Sequence, residues 1–508
     1  MTTNASQMEK WGMFEITLED SSKYENPFTD VSLEAEFSLG GQCEKVKGFY
    51  DGEGVWRIRY MPRGIGECRF RTFSNAPALN GKTGSFEAVW PGQENRGPVT
   101  VRGTHFYYTD ETPAFICGST GFAWWYAPEE YCEKTLRLLK EHRFNKVRML
   151  VFPKHLAAMS QVDLAFEPPC LPFEKTEDGL YDFSRPVPAY FQLLEQRILQ
   201  LMEIGVQADV ILFHPYDFDR WAIDSQLTDP DCFQYLSYLI ARISSLRNVW
   251  WSLANEYDIK KDMDGSFPRV ELGQRDWDRI GEFIQRNDPY GHLRSVHNCG
   301  PIYPNRDWLT HVSYQYPNTH TLLMKLKAEY RKPVIDDEYQ YEGDVKYGWG
   351  NCSGKQELTR HWLSFMAGGY ATHGEAYRPK ENNRDFYFSY GGELKGESAG
   401  RIAYLHQIAD TMPFERMEPD LALGDGLGYY CLREGFLNMF FFYTFDCPVE
   451  DRIVWLGLTD GHKRKYMATI YDLWNQKELS VFEWDGLSFT KMNLPQEGLI
   501  GVKLHQIG

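Results

Sequence analysis

The sequence predicts an α/β fold, a (β/α)8 TIM barrel flanked by N-terminal and C-terminal antiparallel β-sandwich domains, and three observations support it. Across residues 98–415, short apolar runs alternate with helical stretches, the pattern of a parallel sheet with crossover helices. The strand candidates there number eight, the count that a closed barrel needs. On either side, at 1–97 and 416–508, the pattern becomes short alternating strands between turns.

In the N-terminal segment, Val31-Ser32-Leu33-Glu34-Ala35-Glu36-Phe37 and Val55-Trp56-Arg57-Ile58-Arg59-Tyr60 alternate apolar with polar residues, as half-buried strands do. Asp51-Gly52-Glu53-Gly54 is a turn between two such strands. The strand spacing fits an immunoglobulin-like sandwich. Pro91-Gly92-Gln93-Glu94-Asn95-Arg96-Gly97-Pro98 reads as a linker.

The eight barrel strands are expected at 114–118, 146–152, 207–213, 249–254, 293–297, 311–315, 334–337 and 370–374. Helices are expected at 129–142, 189–204, 233–246, 274–287, 321–330 and 356–367. The link between the fifth and sixth strands is too short for a full helix, so that unit is degenerate. Two connections, 153–188 and 215–229, are long and follow strand C-termini, where barrel sites are built. Long loops in a compact domain are usually functional, so both are expected to wall a pocket. At 428–432, 439–443, 465–471 and 478–483 the alternating strands return. This last unit either binds carbohydrate or packs against the barrel, and packing is the preferred reading.

At 508 residues the chain suits about two to four domains. A formal net charge of −17 argues against nucleic acid and anionic membrane as partners. No run of 18 apolar residues offers a membrane span. Residues 1–12 show neither the apolar core nor the basic leader of a signal peptide. The ten cysteines have no CxxC pairs and read as reduced thiols, so a cytoplasmic location is expected. No HxH sits on the first strand to suggest a metal, and no GxGxxG opens a helix after a strand, so no cofactor is expected. Aromatics at 15% suit sugar stacking, although β domains also bury many. The oligomeric state is left open, a homo-oligomer included.

The chemistry lies at two strand tips. Val249-Trp250-Trp251-Ser252-Leu253-Ala254 runs into Asn255-Glu256, and Pro333-Val334-Ile335 runs into Asp336-Asp337-Glu338. In a parallel barrel the C-terminal tips converge on one cleft, so Glu256 and Glu338 face each other across it. Two facing carboxylates are the machinery of glycoside hydrolysis, with retention at a separation of roughly 5–5.5 Å and inversion at roughly 6.5–9.5 Å. The substrate expected is an oligosaccharide or glycoside. A barrel that binds sugar without cleaving it is the alternative. Asn255 is placed to donate to a hydroxyl beside the reacting carbon. His214, ending the third strand, and His297 with Asn298, ending the fifth, are further candidates for the sugar-binding wall. Trp124 and Trp125, after the first strand, either stack on a sugar or plug the barrel. Glu375, at the eighth strand, is a third carboxylate that would bind hydroxyls of a terminal sugar and favour exo action. His373 is as much a structural as a binding candidate. Strand alternation puts Asp336 on the face of Glu338 and turns Asp337 outward.

Asn-Glu after strand four with Glu after strand seven resembles the large clan of retaining (β/α)8 glycosidases, glycoside hydrolase clan A, across the whole central domain. The stretch Asp51-Gly52-Glu53-Gly54-Val55-Trp56-Arg57-Ile58-Arg59-Tyr60-Met61-Pro62, followed by Phe70-Arg71-Thr72-Phe73-Ser74, looks like the immunoglobulin-like domain ahead of such barrels in bacterial glycosidases. Several of those domains are described only as of unknown function. Ala367-Gly368-Gly369-Tyr370-Ala371-Thr372-His373-Gly374-Glu375 resembles the eighth strand of the apiosidase-like branch. The resemblance implies a retaining glycosidase with Glu256 as acid/base and Glu338 as nucleophile, and no particular sugar. It further implies that Arg148 on strand two holds the nucleophile ionised. The same resemblance implies that a strand-six tyrosine, Tyr316 ahead of Tyr314, donates to it. Glu375 departs from the tryptophan that many clan members carry at strand eight.

Overall fold

Eight parallel strands form one sheet that curls into a barrel, and each residue of these strands is buried, as a sheet covered on both faces requires. They are β1 Cys117–Thr120, β2 Lys146–Leu150, β3 Gln207–Phe213, β4 Val249–Ala254, β5 Arg294–Ser295, β6 Val312–Tyr314, β7 Val334–Asp336 and β8 Tyr370–His373. The computed structural model describes residues 1–154, 166–215, 220–259, 275–317, 319–379, 386–424, 428–456, 464–486 and 491–508. Parts of both connections expected to wall the pocket, 155–165 and 216–219, lie outside the described residues. So does residue 274, the expected start of one helix.

The ladder runs β5-β4-β3-β2-β1-β8-β7-β6, so β1 meets β8 and the ring stays open only between β5 and β6. Thr310 bridges that seam. Its Oγ1 accepts from the Arg294 amide at 2.7 Å and donates to the Arg294 carbonyl at 2.9 Å, and its own amide donates to that carbonyl as well. The first strand starts three residues later than expected. Ala114 instead bonds back to Phe106 in a hairpin, Val99–Arg102 with His105–Tyr108. Phe106 lies against Trp250, His311 and Tyr370 and closes the N-terminal end of the barrel.

Among the described residues, seven helices of more than ten residues lie outside: α1 Glu129–Glu141, α2 Pro188–Glu203, α3 Asp229–Ile243, α4 Trp277–Asn287, α5 Thr319–Tyr330, α6 Gly354–Met366 and α7 Ser398–Ala409. Local chemistry starts several of them. Thr228 with Asp231 and Ser353 with Gln356 form capping boxes at α3 and α6. Pro188 opens α2, where its missing N–H has no intrahelical partner to lose. No helix separates β5 from β6.

The N-terminal strands hydrogen-bond in one continuous order of eight, and the sheet folds over so that Phe14 and Phe86, from strands near opposite ends, stack at 3.9 Å. Buried charge joins this unit to the barrel. Arg242 of α3 bonds Glu195 of α2 at 2.9 Å and also Asp51, while Arg59 grips Glu195 through two contacts of 2.7 Å. At the other end a six-stranded antiparallel sheet turns Phe440 and Phe442 onto the Trp362 ring of α6, at 5.2 and 5.5 Å. Its other face, with Met439, Phe441 and Tyr443, has a small core of its own. The ten cysteines form no disulfide. Among the described residues no helix is long and apolar enough to cross a membrane.

Candidate active site

The tips of β2, β4 and β7 meet at one side chain. Arg148, 1% exposed, points up the barrel axis; its Nη1 donates to Glu338 Oε1 at 2.6 Å and its Nη2 to Asn255 Oδ1 at 2.5 Å. Burial opposes its charge, but the carboxylates of Glu338 and Asp337 more than offset that and raise its pKa. A guanidinium only donates, so the Asn255 atom it meets is the oxygen, and the amide Nδ2 is turned toward Glu256 Oε2, 3.5 Å away. Glu256 itself has a left-handed backbone, φ +50°, a conformation that costs energy in a non-glycine residue. Gln315, at the end of β6, donates Nε2 to Glu256 Oε1 at 3.0 Å. Thus a cation stands against Glu338, while among the described residues Glu256 meets the Asn255 and Gln315 amides and the Cys299 thiol, all neutral.

Beneath Glu338 the barrel interior is charged. Lys146 Nζ, fully buried, lies 2.6 Å from Asp337 Oδ1 and 2.9 Å from Asp209 Oδ2. Burial works against the charge of Asp337, but Lys146 and Arg148 hold its carboxyl below the usual range. Asp209 is pushed up by burial, with Lys146 only partly offsetting it. Asp337 also accepts from Thr372 Oγ1 at 2.5 Å and from Ser313 Oγ at 2.6 Å. The expected orientation of the two aspartates is therefore reversed. Ile335 pairs with the interior residue Ser313, so Asp337 faces inward two positions on. Asp336 is turned to the helices, where burial holds its carboxyl well above the usual range. The β7 ladder ends at Asp336, and Glu338 turns in after the pleat has ended.

His297 is wholly buried between β6 and the Glu338 carboxylate; its Nδ1 lies 3.0 Å from Ser313 Oγ and its Nε2 3.5 Å from Glu338 Oε1. Burial, helped by Arg148, lowers its pKa to about 4, so it is neutral near pH 7. His214, 2% exposed, ends β3 with its backbone amide on Asp224 Oδ2. Asn298 is buried and donates to the Gly300 carbonyl.

Other expected contacts fall elsewhere. Tyr316 donates its hydroxyl to the Gly300 carbonyl at 2.6 Å, and Tyr314 to that of Thr319 at 3.3 Å. The tyrosine facing Glu338 is Tyr341, three positions further along the same loop, whose phenol pKa is raised by burial and by the Glu338 charge. Its ring occupies the space where a Cβ on Gly374 would be, 2.0 Å away, so residue 374 has room for no side chain. Trp124 is 0% exposed and has no open face for a sugar; Trp125 is equally buried and donates to the Leu150 carbonyl. The Glu375 oxygens accept from the backbone amides of Lys395 and Gly396, both at 2.6 Å, and tie that segment down. With these oxygens engaged, the argument for exo action from a third sugar-binding carboxylate falls away. His373 is likewise internal, stacked on Phe144.

Gln315 and Tyr341 went unnoticed in the sequence. Gln315 lies between the two tyrosines that drew attention, and the glutamine itself carries no catalytic signature. The aromatic run Tyr339-Gln340-Tyr341 after Glu338 was the available signal for Tyr341.

The family model described as "Apiosidase-like, catalytic domain" matches residues 101–415, and one for a domain of unknown function, DUF5060, matches residues 7–75. Among solved structures, a Bacteroides vulgatus ATCC 8482 protein provisionally described as a glycoside hydrolase is 33% identical over 99% of this chain and 100% of its own, with a TM-score of 0.85. A glycoside hydrolase family 5 protein of the same organism shares the fold at 17% identity and a TM-score of 0.60, over 81% of this chain and 93% of its own. No curated protein matches the chain.

Proposed function

The chain belongs to the apiosidase-like family and is a glycoside hydrolase, and we propose that it cleaves a β-type glycosidic bond of an oligosaccharide or glycoside by double displacement. Glu338 is the nucleophile and Glu256 the acid/base. The observation that carries this reading is Arg148, which links the tip of β7 to the tip of β4 through Glu338 and Asn255. A nucleophile attacks as a carboxylate, and the Arg148 guanidinium stands 2.6 Å from Glu338 as a countercharge. No such cation stands against Glu256 among the described residues, where the Asn255 and Gln315 amides meet its oxygens. Asn255, its oxygen held by Arg148, offers Nδ2 to the hydroxyl beside the anomeric carbon, where a bond can strengthen as charge develops.

The first displacement forms a bond from Glu338 to the anomeric carbon while Glu256 protonates the departing oxygen; in the second, Glu256 takes a proton from water as the water oxygen bonds to that carbon and the bond to Glu338 breaks, releasing the carboxylate. We further read residues 1–97 as the immunoglobulin-like unit and the C-terminal sheet as a sandwich that supports the barrel. The reduced thiols suit the cytoplasm, where imported glycosides would be the substrate.

The test is a panel of nitrophenyl glycosides with wild type, Glu338→Ala and Glu256→Ala. Glu338→Ala is expected to lose turnover and, with azide, to yield a glycosyl azide of inverted configuration. Glu256→Ala is expected to keep activity only on highly acidic leaving groups. Wild-type release of an inverted sugar would reject double displacement, and near-wild-type rates in both variants would reject the site.

A further inference from the structure

Beside Glu338 lies a chain of hydrogen bonds whose direction can be worked out proton by proton. Asp337 sits against Lys146 and is ionised, so it can only accept. Ser313 therefore donates its single hydroxyl proton to Asp337 Oδ2, at 2.6 Å. That leaves Ser313 Oγ as an acceptor toward His297 Nδ1, 3.0 Å away, so Nδ1 carries the ring proton. The neutral ring then presents the bare lone pair of Nε2. Among the described residues this atom has no hydrogen-bond partner, and Glu338 Oε1 faces it at 3.5 Å. Two acceptors thus confront each other, His297 wholly buried and the Glu338 side chain 12% exposed. Burying a polar atom without a partner costs about 1–3 kcal/mol, and one proton between the two atoms would relieve it.

We propose that His297 is a positioning residue whose tautomer is fixed by the Asp337–Ser313 relay, so that it turns a bare Nε2, not an N–H, toward the Glu338 carboxylate. The inference rests on Glu338 being the nucleophile. A proton taken up between the two gives either a carboxylic acid donating to Nε2, which cannot attack, or an imidazolium donating to a carboxylate that stays ionised. The charged groups facing the ring are Arg148 and Lys146 from β2 and Asp337 and Glu338 just after β7. The acid limb of kcat/KM, which reports the free enzyme, therefore depends on which nitrogen of His297 carries the proton.

Ser313→Ala removes the acceptor for Nδ1. The ring can then move its proton to Nε2 and donate to Glu338, which favours the ionised carboxylate. The acid limb is expected to move to lower pH by about one unit. His297→Gln, whose amide can donate and cannot titrate, is expected to move it the same way. Nitrogen-15 NMR of histidine-labelled wild type, with His297 assigned by difference from His297→Gln, is expected to find the neutral ring protonated on Nδ1. A proton on Nε2 in wild type, or an unmoved acid limb in both folded variants, would overturn the proposal. Failure of the nucleophile assignment would look different: Glu338→Ala would form no inverted azide product while the His297 tautomer stayed as inferred.

Discussion

Arg148 bears the heaviest load of any single residue in the site, since one planar side chain orients a carboxylate and an amide from two different strands. A lysine there has one charged point and no fork. Arg148→Lys is expected to lower kcat by about 10²–10³-fold with a smaller change in KM, checked by steady-state kinetics on the best nitrophenyl glycoside. Glu375 belongs to stability. Burial and the nearby Glu342 raise its pKa from 4.5 to about 7, against the backbone amides that lower it. Between these values the folded protein keeps a proton that the unfolded chain has lost, so stability falls as pH rises through the window and levels off above it. Glu375→Gln is expected to remove this slope, gaining on the order of 1–3 kcal/mol relative to wild type between pH 4.5 and pH 7.5 in urea unfolding. Glu256 and Glu338 were legible because a polar residue that directly ends an apolar run has few places to be except a strand tip. Trp124 and Glu375 were not legible, since nothing local distinguishes an exposed ring or carboxylate from one enclosed by a distant segment.

Elements were read well wherever the local signal was strong. β3 and β4 have the bounds expected, because long apolar runs of strand length leave little choice. The missing helix between β5 and β6 was foreseen from the short link, but neither the open seam there nor its bridging by the Thr310 side chain was. Thr310→Val keeps the shape while leaving the Arg294 amide without its acceptor. It is expected to cost about 1–3 kcal/mol in equilibrium unfolding. The outward turn expected for Asp337 failed for an element-level reason. Alternation holds within a strand and was counted backward from Glu338, which lies beyond the end of β7.

Across the whole molecule, the flanking sheets are coupled to the barrel in two different ways. The N-terminal unit meets it through a buried ion network, and removing one member leaves the partners charged and enclosed. Arg242→Ala is expected to destabilise by about 3–5 kcal/mol in urea unfolding, whereas an exposed pair such as Arg279–Asp229 is expected to contribute under about 1 kcal/mol. The C-terminal sheet meets the barrel through stacked rings. Its packing on Trp362 gives that sheet a role without any ligand. Periodicity and strand-end chemistry in the sequence alone determined the alternating architecture, the β flanks and the pair of candidate carboxylates, because each depends on neighbours a few positions away. The tertiary structure alone decided which tyrosine faces Glu338, where the interior charges lie and which nitrogen of His297 is bare. Those outcomes depend on contacts between strand tips far apart in the chain, where position and burial outweigh residue type.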